Sequence, residues 1–389
     1  MQKDLHNESI WTNATFRAII YQIAAIAIVS LTVWYLFSNT TANLAKQSIA
    51  TGFGFLSREA SFEIGESMIS FSSSDTYLKA LAVGALNTIK VSFIGIILTV
   101  LIGISVGIAR LSTNWLVSKI AAIYIELLQD IPVLLQLFFW YAIFNNILPS
   151  PRQALIPFEG FVLCNRGIYF SIPAEHPAFT LMGYAFLAAC VISFLLKRWA
   201  KKRQEQTGQI FPFLTVSGAI IILLPLCTWL IMGAPTELNV PKLQGFNFTG
   251  GYNVSPEFGS LLLGLVLYTS AFVAEIVRAG IQSISKGQKE AAEALGLKPI
   301  FIMNLVILPQ ALRVIIPPLT SQMLNLTKNS SLAVAIGYPD FVSTSNTTIS
   351  QTGQAIEGVA IIMIMYLTIS LLTSFFMNWY NDKMALVER

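Results

Sequence analysis

Long unbroken apolar runs constrain this chain more than any other feature. A bilayer core is about 30 Å thick, and a helix needs roughly 20 apolar residues to cross it. Runs of that order recur at about 18–37, 86–109, 120–147, 178–196, 212–232, 258–280, 313–335 and 355–377. In hydrocarbon each backbone N–H and C=O must be satisfied within its own segment, which favours helices for runs of this length. The chain is therefore expected to be all-α, a polytopic transmembrane helical bundle of about eight spans. Composition agrees. Hydrophobic residues make up 54% of the 389 and charged residues 11%, against about 25% charged in a soluble domain. The first run, Ala18 to Phe37, is too long for a signal-peptide core and no small-residue cleavage pattern follows, so it reads as a retained span.

Eight spans place both termini on one side. Sixteen Lys and Arg then fall on that side, including Arg110, Lys119, Arg278, Lys286, Lys289 and Lys298. Seven fall opposite, from Lys46 to Lys242, and Lys328 stays inside a span. The bias puts the termini in the cytoplasm. Lys197–Gln209 carries five positive charges and reads as a cytoplasmic loop beside anionic lipid. The net charge of +4 records such loops and implies no nucleic-acid partner. The long outer segments, about 38–85, 148–177 and 233–257, are rich in Gly, Pro, Asn, Ser and Phe. Short surface helices or loops are expected there. Cys164, Cys190 and Cys227 form no CxxC pair and predict no disulfide framework. His6 and His176 each stand alone, so both read as solvated loop residues and no metal site is expected.

One polar interruption breaks the pattern. Between Ser285 and Leu312 the chain places Lys286, Lys289, Glu290, Glu293 and Lys298 close together. Ser285 with Gln288 fits a capping box, and Lys289 with Glu293 an i,i+4 pair. Gly296 stands where a left-handed C-terminal cap belongs. Pro299 suits the first turn of a second helix, and Pro309 is expected to end it. The spacing thus predicts two short helices joined by a turn, outside the bilayer. Ala291, Ala292 and Leu295 would form a thin apolar face. On physics alone this is either a helix built for a partner's groove or a loop with incidental helix.

The residues themselves resemble a known pattern. Glu290-Ala291-Ala292, three residues, Gly296, nine residues, Val306, one residue and Leu308-Pro309 are similar to the EAA loop of ABC importer permeases. Val306 replaces the usual Ile, a loss of one methylene. Tyr268–Leu297, Tyr124–Tyr141 and Asn325–Gly337 resemble stretches of one branch, the polar amino acid (histidine/glutamine) permeases. Gln129 stands where that branch usually has Arg, and Asn329-Ser330 where it has Asp-Thr. The likeness covers roughly Tyr77–Asn145 and Glu257–Tyr380. It divides the chain into an N-terminal span and periplasmic segment (1–76), a first core part (77–145), an insertion with two extra spans (146–256), a second core part with the EAA loop (257–380) and a tail (381–389). A five-span core with one N-terminal and two inserted spans resembles the enlarged general L-amino-acid permeases of Gram-negative bacteria.

That resemblance implies an inner-membrane importer subunit for polar L-amino acids. A second permease subunit, of a different chain, an ABC ATPase dimer and a periplasmic amino-acid-binding protein would be its partners, besides membrane lipid. Glu290, Ala291, Ala292, Leu295, Gly296 and Leu297, with Leu308 and Pro309, would couple to the ATPase. The chain has no G-x-x-x-x-G-K-[ST], so no cofactor is expected on it, and ATP and Mg would sit on the ATPase. It is read as no enzyme, because no Ser/His/Asp set, metal-ligand cluster or paired outer carboxylates is visible. Charges inside spans are costly, about 2.5–3.5 kcal/mol each on insertion scales. Glu126, Asp130, Glu275, Arg278, Asn325, Lys328 and Asn329 are therefore candidates for the substrate pathway, or else fix packing and gating. Pro132 and Pro317-Pro318 are expected to kink or unwind their spans, and Gly103 and Gly107 to form a packing face. The alternatives are a permease of the same architecture for another small polar solute, and a stand-alone secondary carrier or channel.

Overall fold

The computed structural model describes residues 14–46 and 52–384. His6, Lys3, Arg389 and most of the expected tail lie outside these residues. Among the described residues seven helices are long and apolar enough to cross a membrane, and an eighth span follows if one bent pair counts as a single crossing. The helical bundle expected from the apolar runs is present.

Helix α1 (Ala14–Lys46) presents its side chains outward, with none buried in its apolar window. Residues 52–76 then fold back on the start of α2 (Tyr77–Arg110), around a small core of Phe55, Ala60, Tyr77 and Ala80. Thr76 caps α2 by accepting the Lys79 N–H at 3.3 Å. The helix thus begins nine residues before its apolar run, and Lys90, inside it, is neutralised by Glu66 at 2.6 Å.

Helices α3 (Trp115–Asp130) and α4 (Val133–Ala142) are the bent pair, turning by 102° at Ile131–Pro132. Proline has no N–H to give and disfavours helix in the residue before it, so the expected break occurs here. Its freed carbonyls are not left bare. The buried Gln136 turns its amide back and donates to the carbonyls of Leu128 and Ile131, both at 2.9 Å.

The outer segments of the insertion differ from expectation. They hold strands: β1 (Leu155–Phe158), β2 (Phe161–Cys164), β3 (Gly167–Phe170) and β4 (Ile172–Pro173) precede α5 (Pro177–Thr207) and α6 (Phe213–Ile231). After α6 come β5 (Leu238–Asn239), β6 (Lys242–Gln244), β7 (Asn247–Thr249) and β8 (Tyr252–Val254). One sheet runs β1-β2-β3-β8, while β4 pairs β5 and β6 pairs β7, all antiparallel. The loops that flank the α5/α6 hairpin therefore knit into one small body. Alternating burial along β2 and β3 explains the strands. Val162, Cys164 and Tyr169 turn inward against Phe248, and a two-residue turn, Asn165-Arg166, joins them.

The basic stretch read as a loop, 197–209, is mostly the end of α5. Its Lys, Arg, Glu and Gln are good helix formers, and the helix stops only at Gly208, in the left-handed region at φ +71°.

Helix α7 (Pro256–Gln282) is the most buried span. Between residues 269 and 282 it packs on α2 at Gly103 and Gly107. A side chain at either glycine would overlap Val273 or Val277, so the expected packing face is confirmed. Beyond it come α8 (Lys286–Ala294), α9 (Pro299–Phe301), a π-helical stretch Ile302–Ile307, α10 (Leu308–Asn329) and a 3₁₀ stretch Ser330–Ile336. Val273, Val277, Ala311 and Ile315 form the core joining α7 to α10. The chain closes with α11 (Phe341–Thr352) and α12 (Ala355–Met384). Two compact units emerge, one of residues 1–125 and 269–389, the other of 126–268.

Candidate functional site

The polar interruption is a helix of nine residues, α8. Ser285 occupies the N-cap position with extended backbone, but its side chain makes no cap hydrogen bond. The predicted capping box is not closed. Only the Gln288 N–H to Ser285 C=O bond, at 3.1 Å, starts the helix. This end is exposed, so water can serve the free N–H groups.

The far end forms as predicted. Gly296 lies at φ +72°. Its N–H reaches the Glu293 carbonyl at 2.9 Å, and the Leu297 N–H reaches that of Ala292 at 3.3 Å. These are the two bonds of a Schellman cap, and the left-handed residue between them favours glycine. A Cβ at Gly296 would meet open space. Glycine is needed here for its backbone.

The apolar face is arranged differently from the expectation. Ala292 is 4% exposed and turns inward, with α8 packed on the Ile302–Ile307 stretch, whose Ile302 is also buried. Ala291 and Leu295 point outward, Leu295 at 80% exposure, with Ile300 exposed beside them in sequence. Small size at Ala292 thus serves the chain's own packing, and an outside partner would meet Glu290, Ala291 and Leu295. Lys289 and Glu293 approach to 3.8 Å but are both more than half exposed, so their pairing contributes little.

Pro309 does not end a helix. The segment from Pro299 to Ile336 runs as a single helical rod of 38 residues. Its wide turn at Ile302–Ile307 carries the Leu308 N–H back to the Met303 carbonyl, which makes room for a proline in the next position. Pro317 and Pro318 likewise stand within helical backbone, so the predicted unwinding is absent there. Leu308 and Pro309 lie on the rod's exposed side near the turn.

The charged candidates separate into three groups. Arg278 grips Glu275 with two nitrogens, one at 2.8 Å, and its third reaches Gln282. Both carboxylate oxygens of Glu275 are thereby occupied. Asn325, Lys328 and Asn329 fall at i, i+3 and i+4 near the end of α10. Lys328 lines a hollow of about 580 Å³ with Ala360, Met363, Ile364, Tyr366, Leu367 and Ser370 of α12. The helix's carboxyl end favours its ammonium. Glu126 and Asp130 lie one turn apart on α3, exposed, with Asp130 the last helical residue before the 102° bend.

Three residues were not singled out from the sequence. Gln136 ties the broken span, and its signal was a glutamine four residues after a proline in an apolar run. Asp340 is buried and caps α11, and the signal was Pro339-Asp340 with Ser343 three residues on. Tyr366 carried no signal beyond being a hydroxyl in an apolar helix.

Residues 206–386 match the family model described as the binding-protein-dependent transport system inner membrane component. The chain is 51% identical over 375 residues to the general L-amino acid transport system permease protein AapQ of Rhizobium johnstonii, covering 96% of this chain and 94% of that one. It is 39% identical over 407 residues to the glutamate/glutamine/aspartate/asparagine transport system permease protein BztB of Rhodobacter capsulatus, covering 96% and 95%. The glutamate/aspartate import permease protein GltJ of Escherichia coli K12 is 27% identical over 311 residues, 80% of this chain and 89% of that one.

Proposed function

This chain belongs to the binding-protein-dependent transport system inner membrane components, and from that membership we propose that it is the permease through which an ABC importer moves polar L-amino acids into the cytoplasm. Relatives named for general L-amino acids and for glutamate, glutamine, aspartate and asparagine support the substrate class. ATP and Mg then belong to an ATPase dimer docked on α8, a second permease chain completes the pathway, and a periplasmic binding protein delivers substrate. The excess of Lys and Arg on one side supports cytoplasmic termini in the inner membrane.

The observation that carries the coupling role is the joint between α8 and the rod. A capped helix with exposed Glu290, Ala291 and Leu295 packs through Ala292 on the first turns of a helix 38 residues long. At 1.5 Å per residue such a rod reaches about 55 Å. A push on α8 when ATP closes the ATPase dimer therefore travels along one element to Asn325, Lys328 and Asn329. The two states needed for coupling are the two positions of this rod. In the pathway a zwitterion needs a carboxylate for its ammonium and a cation or helix end for its carboxylate. Lys328, at the carboxyl end of α10, can offer the second. Glu275 and Arg278 satisfy one another, which favours a packing role for that pair.

Reconstitution with the ATPase, the second permease and the binding protein in liposomes tests the reading. Amino acid should enter only with ATP, and Leu295→Asp should abolish ATPase docking while the permease chains still assemble. Uptake without nucleotide would make the chain a stand-alone carrier or channel. Uptake driven by ATP for a different solute would correct the substrate alone.

A further inference from the structure

Asp340 is completely buried at the start of α11. Its Oδ1 accepts the Ser343 N–H at 2.8 Å, which caps the helix. Its Oδ2 has no hydrogen-bond partner, and neither does the buried hydroxyl of Tyr366 on α12. These two groups face each other, with Ser330 and Thr88 beside the tyrosine oxygen. Four elements thus bring one acid and three hydroxyls to a single buried spot.

The charged groups nearby are Lys328, which lines a hollow with Tyr366, and the Lys90–Glu66 pair. From α2 come Asn87, which donates to the carbonyls of Pro339 and Glu66 at 2.9 and 2.8 Å, and Thr88, which accepts the Phe341 N–H at 3.0 Å. Ser330, from the 3₁₀ stretch, donates to the Thr327 carbonyl at 2.7 Å. Tyr338 is buried and reaches the Asn87 carbonyl at 3.4 Å. Lys90, one turn along α2, is closed on Glu66 at 2.6 Å. Among the described residues no cation forms an ion pair with Asp340. Burial pushes its carboxyl up to about 6 from an ordinary 3.8, although the N–H groups of Ser343 and Val342 pull the other way.

We propose that Asp340 is a proton-controlled positioning residue, which when protonated closes onto Tyr366 and holds α11 against α2 and α12, and when ionised draws in water and loosens the start of α11. In the protonated form the acid O–H donates to the tyrosine oxygen, and the tyrosine O–H donates in turn to the hydroxyl oxygen of Ser330 or Thr88. Both orphaned atoms are then satisfied. In the ionised form the tyrosine O–H turns to donate to the carboxylate, yet the charge stays buried without a paired cation, which is costly unless water enters. The sign follows from the raised affinity for the proton. The folded chain binds it more tightly than the unfolded chain does, so this contribution favours the closed form below about pH 4 and is lost as pH rises through about 6. A consequence for transport rests on the permease reading; the looseness of α11 does not.

Hydrogen exchange on the full transporter in lipid nanodiscs, from about pH 5 to about pH 8 and corrected for intrinsic rates, tests the idea. Protection of the first α11 amides should fall at least about tenfold across that range. Asp340→Asn keeps a capping side chain that cannot ionise, and should stay protected throughout. Tyr366→Phe keeps the ring and removes the acceptor of the acid proton and also the stronger, charge-assisted donor to the carboxylate, so the midpoint should move upward. Flat protection in the unaltered protein, an Asp340→Asn chain that titrates like it, or an unmoved midpoint in Tyr366→Phe would each overturn the proposal. If Asp340→Asn fails to assemble, the Tyr366→Phe midpoint decides. Failure of ATP-driven uptake at every pH, with the exchange pattern intact, would count against the permease reading alone.

Discussion

Gly296 ends α8 with positive φ and open space around the missing side chain. Leucine there would strain the backbone by about 1–2 kcal/mol without any clash, whereas asparagine tolerates the left-handed region. Gly296→Leu should therefore assemble normally, yet the transporter reconstituted with the proposed ATPase should lose most of its substrate-stimulated ATP hydrolysis, while Gly296→Asn keeps it. Equal losses in both variants would show that the left-handed turn is not what matters. Lys289→Ala should change thermal stability by less than about 0.5 kcal/mol, because its partner Glu293 is exposed at 3.8 Å. Glycine's place after the helix could be read directly from the sequence, since cap chemistry is local. Ser285 could not, because whether a side chain closes a cap or leaves the N–H groups to water depends on exposure. The inward turn of Ala292 was equally hidden, being fixed by the Ile302–Ile307 stretch that packs on it.

Between α3 and α4, a sharp break is held by one amide. Gln136 donates to two carbonyls that Pro132 has released. Gln136→Leu fills similar space but leaves both acceptors bare, at about 1–3 kcal/mol each. Thermal unfolding in detergent should show a loss of about 2–6 kcal/mol, and Gln136→Glu should be similarly poor, because it removes the donor. No loss in either would mean that water already serves those carbonyls. The strands of the insertion give a second test. Burial raises the Cys164 thiol above its ordinary value, which disfavours the reactive thiolate. In a chain with Cys190 and Cys227 replaced by Ser, Cys164 should resist maleimide until the protein is unfolded; rapid labelling would place it outside the small sheet's core. Proline positions announced the break at Pro132, but the same residue type at Pro309 and Pro317-Pro318 sits within helix. A wide turn before Pro309 supplies the room, and periodicity does not show wide turns.

Across the whole chain, the charge bias predicts an orientation. A reporter that is active only in the cytoplasm, fused after Arg389, should be active, and one inserted into the Asn165-Arg166 turn should not. The reverse pattern would put α8 outside the cell and remove its proposed partner. The apolar runs by themselves determined the helical bundle, because the bilayer leaves a chain so little choice of backbone, but not the 102° break within the run 120–147. The EAA spacing pointed to the family by its resemblance to a known motif, which is written in consecutive residues. Only the tertiary structure decided that two distant loops, residues 148–176 and 232–255, share a sheet, and that Glu275 spends both its oxygens on Arg278. It alone brought Asp340 to Tyr366. Those facts depend on which groups lose water and which partners then remain within reach, and that is settled by packing between residues far apart in the chain.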